Sequence, residues 1–131
     1  MPLKKYFFLL KAILGYFANR FYFSGAVCKS KTRLDGKVSI ITGSNTGIGF
    51  ETALDFAKRG ARVIMACRDM KKAEKAAQQI IQLTGNKNVE CEHLDLADLD
   101  SVRDFAAKMN KQLNRLDILV NNAGSYNWSY D

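Results

Sequence analysis

The sequence predicts an α/β fold in which a parallel, doubly wound sheet follows a hydrophobic N-terminal helix. From residue 36 onward, short β-branched runs alternate with helical periods, and a glycine-rich loop joins the first run to the first helix. Residues 1–28 are instead apolar and aromatic. Strands separated by helices of this length pair in parallel through right-handed crossovers. The predicted order is therefore βαβαβαβ.

The first 28 residues predict a helix that associates with a membrane. The polar residues Lys4, Lys11, Gly15 and Asn19 recur at helical spacing on an otherwise apolar, aromatic-rich segment. Such a helix lies in the membrane interface with its lysines snorkelling, or inserts as a short anchor. Two alternatives remain open, a cleavable signal peptide and an amphipathic helix packed on the domain.

The net positive charge of the chain belongs to its N-terminal part. The formal net charge is +7 for 131 residues, and residues 1–37 account for all of it, with eight Lys and Arg against one Asp. The remainder is neutral, with charges of both signs interspersed, which argues against nucleic acid as a partner. Residues 29–37 read as a basic linker, and the flanking cations favour a globular part that faces the cytosol from an endoplasmic reticulum or mitochondrial membrane.

The three cysteines do not predict a disulfide framework or a metal site. Cys28, Cys67 and Cys91 are widely spaced and odd in number. Neither the even count of a disulfide scaffold nor the paired spacing of a zinc site is present. Reduced thiols in a reducing compartment are the simpler interpretation.

Four strands and three helices are predicted after the linker. The strands fall at residues 38–41, 61–66, 89–94 and 116–120. Apolar residues recur at helical spacing between them: Phe50, Ala53, Leu54, Ala57; Ala73, Ala76, Ala77, Ile80, Ile81; and Val102, Phe105, Ala106, Met109, Leu113.

Polar residues and glycines predict where these elements end. Gly60 and Gly85 should close the first and second helices, while Asp98 and Ser101 are suited to cap the third. The third strand alternates glutamates with Val89, Cys91 and His93, a pattern that suits an edge strand with one solvated face.

The loop after the first strand carries the clearest functional signal. Three glycines let the backbone turn sharply, approach a pyrophosphate closely and present helix N-terminal amides to it. Glycine-rich matches are weak alone, but this one lies at the strand-to-helix junction that such a site requires. The residues predicted to bind a dinucleotide here are Gly43, Ser44, Asn45, Thr46, Gly47, Ile48 and Gly49.

Three motifs together resemble the short-chain dehydrogenase/reductase family: Thr-Gly-x-x-x-Gly-Ile-Gly at 42–49, Asp95 after the third strand, and Asn-Asn-Ala-Gly at 121–124. The segments at 23–28, 36–38, 66–69 and 93–96 resemble its membrane-associated retinol dehydrogenase subgroup. The resemblance implies a Rossmann-type sheet and an oxidoreductase of lipophilic alcohols, aldehydes or retinoids. It also implies cofactor contacts by Asp95, Leu96, Asn122, Ala123 and Gly124. In addition, Asn121 and Asn122 are expected to tie neighbouring strands together.

The end of the second strand predicts NADP(H) as the cofactor. An acidic residue there would bind the free 2′-hydroxyl of NAD, but this sequence has Cys67 and Arg68. A neutral side chain does not repel a 2′-phosphate, and the planar guanidinium of Arg68 can pair with it. NAD(H) is the less favoured cofactor, and a surface pair of Arg68 with Asp69 is the structural alternative.

The catalytic pair that the family resemblance implies is not found. The family uses a tyrosine with a lysine four residues later, and no Tyr-x-x-x-Lys occurs in this sequence. No catalytic residue is therefore assigned, and residues 38–124 are interpreted as a partial, dinucleotide-binding domain followed by a divergent tail at 125–131. We expect a cofactor-binding fragment that does not turn over substrate alone. The alternative is a non-catalytic isoform that binds dinucleotide or pairs with a homologous chain through the open edge of its sheet.

Overall fold

The computed structural model describes residues 29–124. The chain divides into two units, Met1–Ser30 and Lys31–Asp131, and the α/β fold belongs to the second. The predicted anchor helix at 1–28 and the tail at 125–131 lie outside the described residues. Within the part that is described, no helix combines the length and apolar character needed to cross a membrane.

The described residues form one parallel sheet with three helices, as predicted. The sheet order is β3-β2-β1-β4, and every neighbouring pair is parallel. The chain thus moves outward from β1 to β3 and then returns to the other side of β1. The elements are β1 (Val38–Thr42), α1 (Gly47–Lys58), β2 (Arg62–Cys67), α2 (Met70–Thr84), β3 (Val89–His93), α3 (Leu99–Gln112) and β4 (Ile118–Val120).

The helices cover both faces of the sheet, which confirms the doubly wound arrangement. Side chains alternate between faces along each strand. Ile41 packs with α1 and α2 on one face, whereas Ile40 packs on the other face with Met109 of α3. Both isoleucines are buried, so the strands read as continuous apolar runs, as expected of a parallel sheet covered on both sides.

The fourth strand is shorter than predicted. It begins at Ile118, not at residue 116. The backbone N–H of Val38 donates to the Asp117 carboxylate at 2.9 Å, so a side chain takes the place of a ladder carbonyl at this point. Leu116 is correspondingly 46% exposed. An apolar run alone does not reveal such a substitution.

Most of the predicted helix ends are confirmed. Gly85 ends α2 with φ +72°, Gly60 comes directly after Arg59, the C-cap of α1, with φ +91°, and Asp98 caps α3 by accepting from Asp100 N at 2.9 Å. Ser101 is not a cap, because its hydroxyl accepts from Asp95 N at 3.0 Å. It therefore stabilises the turn that follows β3.

The prediction of β3 as an edge strand is also confirmed. Glu90 pairs with Arg62 of β2 at 3.0 Å, and Glu92 pairs with Lys108 of α3. Among the described residues, β4 forms the opposite edge, where the side chain of Leu119 is 54% exposed.

Candidate functional site

A cleft of about 760 Å³ opens at the carboxyl ends of the strands. It lies where the chain leaves β1 for β2 on one side and returns beside β1 as β4 on the other. Open α/β sheets bind ligands at such a switch point. The residues that line it are Thr42, Gly43, Asn45, Thr46, Ala66, Arg68, Asp69, Lys72, Leu94, Asp95, Leu96, Ala97, Asn122, Ala123 and Gly124.

The N-terminus of α1 differs from those of the other two helices. Its N-cap residue, Thr46, is extended (φ −152°, ψ 165°) and makes no side-chain cap hydrogen bond, and no acidic residue lies in the first turn. In contrast, Asp69 caps α2 and Asp98 caps α3. The first N–H groups of α1 are thus left without a side-chain acceptor. Together with the helix dipole, they favour an anion.

Two glycines bring the loop and α1 close to neighbouring backbone. A Cβ on Gly49 would lie 2.5 Å from Asn122 Nδ2 and 2.6 Å from the carbonyl oxygen of Gly43. A Cβ on Gly43 would lie 2.9 Å from Ala123, and Gly43 has φ +62°. These positions require glycine, and they hold α1 against the loop after β4.

Hydrogen bonds tie the ends of β1 and β4 together beneath the cleft. The hydroxyl of Thr42 accepts from the backbone N–H groups of Asn122 at 3.0 Å and Ala123 at 2.9 Å. The Asn122 amide in turn donates to the carbonyls of Thr42 at 3.0 Å and Gly43 at 3.1 Å. The predicted strand-to-strand tie is therefore confirmed for Asn122, whereas Asn121 is exposed.

The end of β2 separates a buried side chain from an exposed one. Cys67 is 2% exposed, and its sulfur lies 3.7 Å from the hydroxyl of Ser44. That hydroxyl also donates to the Ile41 carbonyl at 3.0 Å, so the Ser44 side chain is part of the packing and does not face the cleft. Arg68 is exposed, lines the cleft and makes no hydrogen bond or ion pair with other residues in the 29–124 range.

The structural alternative for Arg68, a pair with Asp69, is not observed. Asp69 instead accepts from Lys72 N at 3.1 Å and lies 3.3 Å from Lys72 Nζ. The bond from the Lys72 backbone is the main reason that the pKa of Asp69 lies below its usual value. The carboxylate is thus engaged by α2, and Arg68 remains available to a ligand.

Asp95 and Leu96 form the rim beyond β3. The Asp95 carboxylate accepts from Ala97 N at 3.0 Å through Oδ1. This is a local turn, yet the residue still lines the cleft. Leu96 is 52% exposed and presents apolar surface beside it.

The cleft brings together nine of the thirteen residues predicted to bind a cofactor: Gly43, Asn45, Thr46, Arg68, Asp95, Leu96, Asn122, Ala123 and Gly124. Ser44, Gly47, Ile48 and Gly49 do not line it; Ser44 and Gly49 are buried, while Gly47 and Ile48 lie on a separate shallow hollow along α1. Sequence reasoning missed the lining residue Lys72, because the sequence does not show which face of α2 turns toward the cleft.

Comparisons with known proteins identify the family. The family described as short chain dehydrogenase matches residues 37–130. Human retinol dehydrogenase 13 is 53% identical over 103 residues, 79% of this chain and 31% of that protein. Mouse retinol dehydrogenase 11 is 54% identical over 101 residues, 77% of this chain and 32% of that protein. The chain thus spans about a third of the length of these relatives.

Solved structures agree with this match. Menthone neomenthol reductase from Mentha piperita superposes with a TM-score of 0.64 at 38% identity, covering 68% of this chain and 32% of that one. A short chain dehydrogenase from Escherichia coli CFT073, complexed with NADPH, gives 0.67 at 30% identity, covering 73% and 40%. The chain therefore belongs to the short-chain dehydrogenase family and is similar to its retinol dehydrogenases.

Proposed function

We propose that residues 29–124 form the NADP(H)-binding part of an oxidoreductase that acts on a retinoid or another lipophilic alcohol or aldehyde. The observation that carries the proposal is the cleft itself. It combines an uncapped helix N-terminus, close backbone approach at glycine positions and a cation without a protein partner among residues 29–124, all at the switch point of the sheet. Substrate class is inferred from the similarity to retinol dehydrogenases.

Each part of the cleft suits one part of a dinucleotide. The N-terminal amides of α1 and the backbone of the glycine loop suit the pyrophosphate. Asp95 and Leu96 suit the adenine, through a carboxylate acceptor and an apolar surface. Asn122, Ala123 and Gly124 suit the nicotinamide-side ribose. The bound cofactor would supply hydride transfer.

The choice of NADP(H) over NAD(H) depends on Arg68. Its exposed guanidinium stands at the end of β2, where the adenosine ribose binds in such sheets, and Cys67 contributes no negative charge. The NADPH complex of the Escherichia coli relative supports the same choice. A planar, permanently charged fork binds phosphate more strongly than neutral donors do.

The proposal is tested by equilibrium titration of the full chain with NADPH and with NADH. We expect Arg68→Ala to weaken NADPH binding at least ~10-fold, equivalent to about 1.4 kcal/mol, and to change NADH binding less than ~2-fold. Lys87→Ala is the control, since it removes the same charge from an exposed site between α2 and β3. Failure of the unmodified chain to bind either nucleotide would overturn the proposal.

We further propose that the 131 residues bind cofactor without turning it over. The support is the sequence, which contains no Tyr-x-x-x-Lys, the acid/base pair that the family uses. Oxidation of NADPH with retinaldehyde should not exceed the rate without protein. A rate above that background would contradict this part.

The alternative function is pairing with a homologous chain through the edge strand β4. The observation that favours it is the 54% exposed side chain of Leu119, on a strand that pairs on one side only among the described residues. Co-expression with a tagged retinol dehydrogenase tests it. Recovery of the untagged chain that Leu119→Lys abolishes would support pairing, and recovery unaffected by that change would contradict it.

We also retain the proposal that residues 1–28 attach the protein to an endoplasmic reticulum or mitochondrial membrane, with the globular part facing the cytosol. Its support is the apolar, basic composition of that segment. Deleting residues 1–28 should move the protein from the membrane fraction to the supernatant. Unchanged sedimentation would contradict the proposal.

A further inference from the structure

Two cations four residues apart in the sequence, Arg68 and Lys72, line the cleft. Arg68 follows the last residue of β2, and Lys72 is in the first turn of α2. Both side chains are exposed, and both line the cleft. The neighbouring Lys71 is equally exposed but does not line it. The orientation of α2 thus places Lys72, and not the adjacent Lys71, at the cleft.

Asp69 gives the ammonium group of Lys72 a preferred position. One carboxylate oxygen accepts from Lys72 N at 3.1 Å, and the other lies 3.3 Å from Lys72 Nζ. The contact is exposed, so it is weak enough for a stronger anion to compete for the ammonium. Because Asp69 is already bound to the start of α2, its charge opposes a nearby phosphate less than a free carboxylate would.

We propose that Lys72 is a specificity-determining residue that, with Arg68, binds the 2′-phosphate of NADP(H). This inference rests on the proposed function and adds a second cation to it. A phosphomonoester carries a charge of about −1.5 to −2 near pH 7, so a single guanidinium neutralises it only in part. Arg68 supplies a planar two-donor contact, and Lys72 supplies a mobile point charge from the first turn of α2.

The test compares two adjacent lysines in the full chain. Dissociation constants for NADPH and NADH are measured for the unmodified chain, Lys72→Ala, Lys71→Ala and Lys72→Arg. We expect Lys72→Ala to weaken NADPH binding about 5- to 10-fold while NADH changes less than about 2-fold. Lys71→Ala should leave both unchanged, and Lys72→Arg should keep most of the NADPH affinity. The difference in NADPH affinity between the unmodified chain and Lys72→Ala should shrink at high ionic strength, because the site is exposed.

The outcomes separate this inference from the proposed function. If Lys72→Ala and Lys71→Ala behave alike while the chain still prefers NADPH, the role of Lys72 is overturned and the proposed cofactor stands. If Lys72→Ala weakens NADH as much as NADPH, the lysine does not read the 2′-phosphate, which also overturns the inference. If the unmodified chain binds neither nucleotide, the proposed function itself fails. Thermal unfolding of each variant identifies any loss of nucleotide affinity that is caused by misfolding.

Discussion

The two ends of the sheet differ in the donors that they leave for a ligand. At the carboxyl ends of the strands, the N-terminus of α1 has no side-chain cap and Arg68 has no partner within residues 29–124. At the amino ends, polar side chains are bonded to one another and to the backbone. Asp117 binds Val38 N, Lys37 and Arg115, and Arg62 is paired with Glu90.

The amino end also closes the connections between its elements. The Asn86 amide donates to the carbonyls of Ala57 at 3.0 Å and Ala61 at 2.9 Å, which joins the end of α2 to the loop after α1. Arg33 pairs with Asp35 and donates to the Lys58 carbonyl at 3.3 Å. These contacts stabilise the fold, whereas the unused donors at the other end can stabilise a bound anion. The contrast locates the site on physical grounds, independently of any motif.

The largest expected effect is that of a methyl group where the carboxyl end is most tightly packed. Gly49→Ala places a Cβ within 2.9 Å of Asn122, Gly43 and Ser44. Overpacking against backbone costs about 3 kcal/mol, and the helix propensity of alanine offsets about 1 kcal/mol of that. We expect the free energy of unfolding, measured in urea, to fall by about 2 kcal/mol.

Gly85→Ala is the control for this substitution. Gly85 has φ +72°, and a Cβ added there would meet no atom within 4 Å, so it tests backbone strain without crowding. We expect a loss of about 1 kcal/mol there. A loss at Gly49 no greater than at Gly85 would contradict the close approach between α1 and the loop after β4.

The next largest effect is expected at the N-cap of α1, where one substitution should raise stability and weaken NADPH binding. Thr46→Asp supplies the acceptor that the N-cap lacks, so the free energy of unfolding should rise by about 1 kcal/mol. The same carboxylate should repel the pyrophosphate and weaken NADPH binding about 10-fold. Asp98→Ala is the reverse case, and it should lower stability by about 1 kcal/mol with little change in binding. If Thr46→Asp raised both the free energy of unfolding and the affinity for NADPH, the result would show that no anion binds at α1.

Much of the fold was predictable because it depends on local pattern. Short apolar or alternating runs predicted all four strands, and the alternating glutamates of β3 predicted an edge. What pattern could not predict was which of several similar groups makes a given bond. Asp98 and Ser101 were equally plausible caps, and only the position of Asp95 N decides that Ser101 binds there instead.

The site was less predictable than the fold for the same reason. The motif at 42–49 predicts a binding loop but not which of its side chains turn inward. Ser44 is buried because its hydroxyl reaches the Ile41 carbonyl and lies beside Cys67, 23 residues away. Conversely, Lys72 lines the cleft because of the way α2 is rotated about its axis on the sheet. The sequence around Arg68 does not predict that rotation.

The smallest expected effect concerns the amino end, where Asp117 anchors β4. Its pKa is held well below the usual range, chiefly by the Arg115 side chain and next by the backbone N–H of Val38. A lowered pKa in the folded state adds stability that is present above the unfolded pKa of about 4 and is lost as the pH falls below it. The urea midpoint of the unmodified chain should therefore fall more steeply below about pH 4 than that of Asp117→Asn, while the two curves run parallel from about pH 5 to 8. Comparing the two chains cancels the acid sensitivity contributed by Asp35 and Asp69, whose pKa values are also lowered. NADPH affinity above about pH 5 should be the same in both chains, because Asp117 lies at the end of the sheet away from the cleft. Equal slopes of the urea midpoint against pH below about pH 4 would mean that Asp117 adds no charge-dependent stability.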